Sequence, residues 1–174
     1  MRKTKIISLC SILTALGVVL LWLGAVTDIL DITFCFASSI IIVFAQIELG
    51  SKAALLIYAA TGILSVILLP TKFAAAAYLL FAGNYPIIKY FLEKKVKSKT
   101  SLFIIKIAYF SLAMGIMIAI SKFIFLVDDG LVISIIIFVL GLFACIIFDY
   151  LIRALVSLYY AKLRKRLRID KILK

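Results

Sequence analysis

Long apolar runs separated by short polar punctuation organise this chain. The runs extend from Lys5 to about Val26, Ile32 to about Leu49, Ser51 to about Leu69, Lys72 to about Leu92, Ser101 to about Val127, and Leu131 to about Ala161. A helix needs about 20 mostly apolar residues to cross the hydrocarbon core of a bilayer, and these runs are of that order or longer. The pattern predicts an all-α integral membrane protein, a six-transmembrane-helix bundle. Two divisions carry that count. Residues 32–69 are too long for one span and contain Glu48-Leu49-Gly50-Ser51-Lys52, with two charges and a Gly. The other division is Pro70-Thr71-Lys72, where Pro removes a backbone donor and biases the residue before it toward extended geometry. A broken or re-entrant helix at either place is the alternative. A membrane barrel is rejected, because its strands alternate polar and apolar positions whereas Ile40-Ile41-Ile42-Val43-Phe44 and residues 133–140 do not.

The charges fall on alternate connections. Arg2, Lys3 and Lys5 precede the first run, Lys94, Lys95, Lys97 and Lys99 lie between the fourth and fifth, and Lys162, Arg164, Lys165, Arg166, Arg168, Lys171 and Lys174 follow the sixth. The other connections hold Asp28 with Asp31, Pro70 to Lys72, and Asp128 with Asp129. Basic connections stay in the cytoplasm, so both termini are expected to be cytoplasmic, with three short loops facing out. The organisation expected is a multi-pass membrane domain over residues 1–161 and a basic cytoplasmic tail over residues 162–174, placed in the cell membrane. The basic start followed by an apolar run looks like a signal peptide, but the run is too long and no small-residue cleavage site follows. It is read as a retained first helix.

Composition sharpens this picture. Of 174 residues, 66% are hydrophobic and 16% charged, and the mean hydropathy is +1.26. An ordinary soluble domain is roughly 45–50% apolar and about 25% charged, and a chain of this size leaves much of its surface exposed. Lipid is therefore the solvent for most of the chain, which excludes a soluble enzyme, a nucleic-acid-binding domain and a disordered tail. The net charge of +12 is a topology signal, since the basic residues have no aromatic platform around them for nucleic acid. His is absent, which removes the commonest general base and metal ligand. Cys10, Cys35 and Cys145 are far apart and form no CxxC, so neither a disulfide framework nor a metal site is expected.

No enzymatic motif stands out, and no catalytic role or cofactor is expected. Gly50-Ser51-Lys52 ends like a phosphate loop, but the first Gly of that motif is missing and Ala53 follows the Lys. The polar residues in or beside the membrane are the informative ones. Asp31 and Asp128, with Asp28 and Asp129, cap or solvate turns, or they line the mouth of an outward-facing pocket. Lys122 lies about one turn inside its helix end, where it snorkels to the interface, pairs with Asp128 or Asp129, or holds a carboxylate or phosphate of a substrate. Lys72 stands at the same side. Asn84 lies within Ala82-Gly83-Asn84-Tyr85-Pro86, where Pro86 predicts a kink and the Asn amide meets a neighbouring helix or a solute. Lys106 is read as a cytoplasmic snorkel. Asp149 and Arg153, spaced i,i+4, form a structural pair, and Gln46 and Glu48 are read in the same way.

Small residues recur at Ser8, Ser11 and Ala15 in the first run, at Ala53, Ala54, Ala60 and Gly62 in the third, and at Ala74 to Ala77 in the fourth. Such residues let helices approach closely where no hydrophobic drive exists. They serve packing within the bundle or a groove for another protein's helix. The last run is about 46 Å long at 1.5 Å per residue, beyond the core of roughly 30 Å. Its basic continuation suits anionic lipid.

The layout resembles a known family. Six short helices, a basic start before a small-residue first helix, and the stretches Thr14-Ala15-Leu16-Gly17-Val18-Val19 and Tyr85-Pro86-Ile87-Ile88-Lys89 are similar to the substrate-binding (S) component of energy-coupling factor transporters. The likeness lies mostly in residues 6–95. It implies capture of a vitamin or other micronutrient from outside, in a pocket beneath the first, third and fifth connections. It also implies association with a transmembrane scaffold (T) subunit and two ATPases. The first-helix motif that docks on the scaffold in that family, AxxxA in many members, corresponds here to Ser11 and Ala15. Asp31, Lys72, Lys122, Asp128 and Asn84 are the candidates for solute contact. Two other readings stand beside this one. One is a small accessory membrane protein that recruits partners or anionic lipid through its basic tail. The other is a passive pore formed by oligomers.

Overall fold

The computed structural model describes residues 3–27, 30–96, 98–123 and 130–163. These residues form helices α1 (Lys3–Thr27), α2 (Asp31–Glu48), α3 (Ser51–Leu68), α4 (Lys72–Ala77), α5 (Tyr85–Lys95), α6 (Lys99–Phe123) and α7 (Leu131–Leu158). A π-helical turn, Tyr78–Ala82, follows α4 and another, Tyr159–Leu163, follows α7. No strand occurs among the described residues. The protein is an all-α, multi-pass membrane bundle. Among the described residues five helices are long and apolar enough to cross a bilayer: α1, α2, α3, α6 and α7.

Both divisions in the region 32–72 are real turns. At the first, Leu49 N–H and Gly50 N–H both donate to the Ala45 carbonyl, at 2.9 and 3.1 Å. Gly50 has φ 87°, a left-handed value that costs a residue with a Cβ. At the second, α3 ends before Pro70 with Leu69 in an extended conformation, as the restriction on pre-proline residues requires.

The fourth predicted span, by contrast, is not one continuous helix. It divides into α4, a π turn, a bend at Gly83-Asn84, and α5. Pro86 has no N–H to give to the turn before it. The break lies upstream of Pro86, with Gly83 N–H bonding the Tyr78 carbonyl at 2.8 Å in an i→i+5 step. Two tyrosines from neighbouring helices occupy carbonyls of the π turn. Tyr58 on α3 donates to the Leu79 carbonyl at 2.8 Å, and Tyr109 on α6 donates to the Leu80 carbonyl at 3.0 Å. Irregular backbone at membrane depth is tolerated where protein groups supply such partners.

Helix α2 is central, packing on α1, α3, the α4–α5 segment and α7. Close approach to α1 runs through Gly17, whose carbonyl accepts from Ser38 Oγ at 3.3 Å. An aromatic core joins the two halves of the bundle. Phe36 of α2 stacks on Phe148 of α7 with centroids 4.2 Å apart, and Phe81, Tyr85 and Phe110 pack around them. Outward-facing positions are apolar all round, including Leu16, Val19, Ile63, Ile67, Leu112, Ile136 and Phe143, as a lipid-facing surface requires.

Candidate functional site

A cavity of about 590 Å³ lies between α2, α4 with its π turn, α6 and α7. Pockets for small ligands commonly span roughly 300–1,000 Å³. The space exists because the facing positions are small or flexible: Ala77, Ala82, Gly141 and Ala144 line it beside Met114 and Met117. Phe36 and Phe81 line it where it meets the aromatic core. Ile32, Phe73, Lys122 and Ser134 line the other end. These four residues adjoin in sequence the connections 28–30, 69–71 and 124–130, of which the first carries Asp28 and the last Asp128 and Asp129.

The candidate residues do not converge on one place. Lys122, half-buried, lines the cavity and makes no salt bridge among the described residues. Asp31, half-buried, opens α2 next to the lining residue Ile32. Lys72 opens α4, but its ammonium turns back to α3, donating to the Val66 and Leu69 carbonyls at 2.8 and 2.9 Å. It thereby satisfies orphan acceptors at a helix C-terminus, and it does not line the cavity. Asn84 sits in the bend of the fourth segment, outside the cavity lining. Asp128 lies outside the described residues, as do Asp28, Asp129 and the tail from Arg164 onward.

Ser11 and Ala15 lie together in a second depression, of about 580 Å³, between α1 and α3. Ala53 and Ala60 face them across it. Ser11 Oγ donates to its own helix at the Ile7 carbonyl, 3.0 Å away, so its hydroxyl is satisfied within α1.

A buried ionic cluster is the feature that sequence reasoning missed. Asp149 of α7 accepts from Lys89 of α5 at 2.7 Å, Lys106 of α6 at 3.0 Å and Arg153 at 2.8 Å. The Tyr85 hydroxyl donates to the same carboxylate, and Lys89 also reaches the Asp149 carbonyl at 2.9 Å. Lys106 further pairs with Glu93 at 2.8 Å. The expected Asp149–Arg153 pair is present, but only as the outer member of this group. Lys106 is not a snorkel: its side chain is 4% exposed. Gln46 and Glu48 also turn to neighbours, Gln46 donating to Ser51 at 2.6 Å and Glu48 accepting from Tyr159 at 2.8 Å. The ionic cluster ties the lower half of the broken segment to α6 and α7, below the aromatic floor of the cavity.

Comparison with protein-family models, with curated proteins and with solved structures finds no match for this chain.

Proposed function

We propose that this protein is the solute-binding subunit of an importer of the energy-coupling factor type. It takes up a vitamin or other micronutrient at the outer face of the cell membrane and passes it inward with a transmembrane scaffold subunit and ATPases. The observation that carries this reading is the cavity of about 590 Å³ whose lining residues Ile32, Phe73, Lys122 and Ser134 adjoin the connections 28–30, 69–71 and 124–130. The positive-inside rule favours those connections outside, which supports access to the Lys122 end of the cavity from the medium. The depression at Ser11 and Ala15 supports a docking face for the scaffold, because small residues allow close helix approach. The chain carries no phosphate-loop motif, so partners supply the ATP-driven step.

Co-purification in mild detergent tests the reading. The tagged protein is expected to bring down a scaffold subunit and ATPases, and Ala15→Leu to weaken that capture while leaving the thermal midpoint unchanged. Failure to recover any ATPase under these conditions overturns it. Deleting residues 162–174 separates the accessory-protein reading: loss of partners with intact solute uptake favours a tail that recruits them.

A further inference from the structure

The cavity also limits the chemistry of what it holds, an inference that rests on the solute-binding role. Its walls are apolar: rings of Phe36, Phe73 and Phe81 and the thioethers of Met114 and Met117. Polar character is confined to a few groups, and Lys122 is the one charged residue among its described lining residues. The nearby cation, Lys72, is occupied by two backbone carbonyls. The Cys35 thiol is turned to the Ala74 carbonyl at 3.5 Å. No described carboxylate lines the space, so Lys122 is the charge among the described lining residues that a ligand meets, and it repels a cation and attracts an anion. An ammonium beside an apolar, low-dielectric volume attracts an anion far more strongly than one in water, and Ser121, adjacent in sequence and also lining the cavity, adds a hydroxyl donor.

We propose that the cavity binds an amphipathic anion: one carboxylate or phosphate held at Lys122 and Ser121, with an apolar body seated between Phe36, Phe81 and the two methionines. Such a molecule reaches the site either from the medium as a free solute or from the bilayer as an acidic lipid.

The test uses the full chain in phosphatidylcholine nanodiscs with radiolabelled octanoate as probe. Saturable binding is expected, displaced by octyl phosphate but not by octanamide or octyltrimethylammonium. Lys122→Gln is expected to weaken it by about tenfold or more, and Lys122→Arg to keep it within about threefold. Non-saturable binding, equal displacement by octanamide, or an unchanged affinity in Lys122→Gln overturns the proposal. Replacing phosphatidylcholine with phosphatidylglycerol separates the sources. Loss of octanoate binding there identifies an acidic lipid as the occupant, and retention identifies a free solute; both support an anion site. A chain that binds octanoate through Lys122 but recovers no ATPase keeps this site and loses the importer role. One that recovers ATPases but binds no octanoate keeps the role and loses this ligand class.

Discussion

Neutralising Asp149 is the sharpest perturbation of the ionic cluster. Asp149→Asn keeps the shape but removes the charge that Lys89, Lys106 and Arg153 share. Arg153 is 58% exposed at its side chain and reaches solvent or headgroups. Lys106 retains Glu93 at 2.8 Å. Lys89, 5% exposed, retains the residue-149 backbone carbonyl, the Asn amide oxygen and the Tyr85 ring 5.9 Å away, but no carboxylate. Breaking a buried pair by removing one partner costs about 3–5 kcal/mol, and with one ammonium of the two left without a carboxylate the lower end, about 3 kcal/mol, is expected. For a chain of this size that is a fall of about 6–12 °C in thermal midpoint. The buried free thiols of Cys10, Cys35 and Cys145 provide the readout, since a thiol-reactive fluorophore in detergent reports their exposure on unfolding. Asp149→Asn/Lys89→Met removes both charges and should recover part of the loss, because replacing a whole buried pair by uncharged groups is close to neutral. A shift below about 2 °C for the single variant, or a double variant less stable than the single, would refute the reasoning.

Other expectations follow from the backbone and the bundle ends. Gly83→Ala would place a Cβ 2.7 Å from both the Tyr58 and Tyr78 rings and should cost about 1–3 kcal/mol as overpacking, read in the same thermal assay. Tyr58→Phe leaves the Leu79 carbonyl of the π turn without its hydroxyl donor and should cost about 1 kcal/mol; no change would show that the turn does not depend on it. Phe36→Ala deletes the ring stacked on Phe148 and should cost about 3–5 kcal/mol. Reporters fused before Met1 and after Lys174 should both read as cytoplasmic, and an exterior C-terminus would contradict the even number of crossings on which the outward-facing solute site depends.

Turns were legible in the sequence because their causes are local. Gly50 between two apolar runs and Pro70 before Lys72 each mark a helix end, and each acts through its own backbone. Pro86 flagged a disturbance, but the break settled on Tyr78–Ala82 because Tyr58 and Tyr109 satisfy carbonyls there. That outcome depends on tyrosines in other helices, which no local pattern encodes. The ionic cluster was hidden for a similar reason. Lys106 and Asp149 are 43 positions apart, so i,i+4 reasoning reached Arg153 and stopped. A signal was present in the depth of the charges: Lys89, Lys106 and Asp149 each lie within the apolar stretch, set back from the basic end of an antiparallel neighbour. Charges at matching depth in lipid are expected to meet. Lys72 illustrates the opposite limit, since its chemistry suited a ligand but the unpaired carbonyls ending α3 were nearer.

Native mass spectrometry of the full chain, released intact from mild detergent after purification from its own membrane, tests the cavity most directly. The expected result is a population carrying one small molecule per chain, absent from Ala144→Phe, in which a ring fills part of the space between α2, α6 and α7. A chain that carries no small molecule, or an Ala144→Phe variant that carries the same one, would contradict a solute site there.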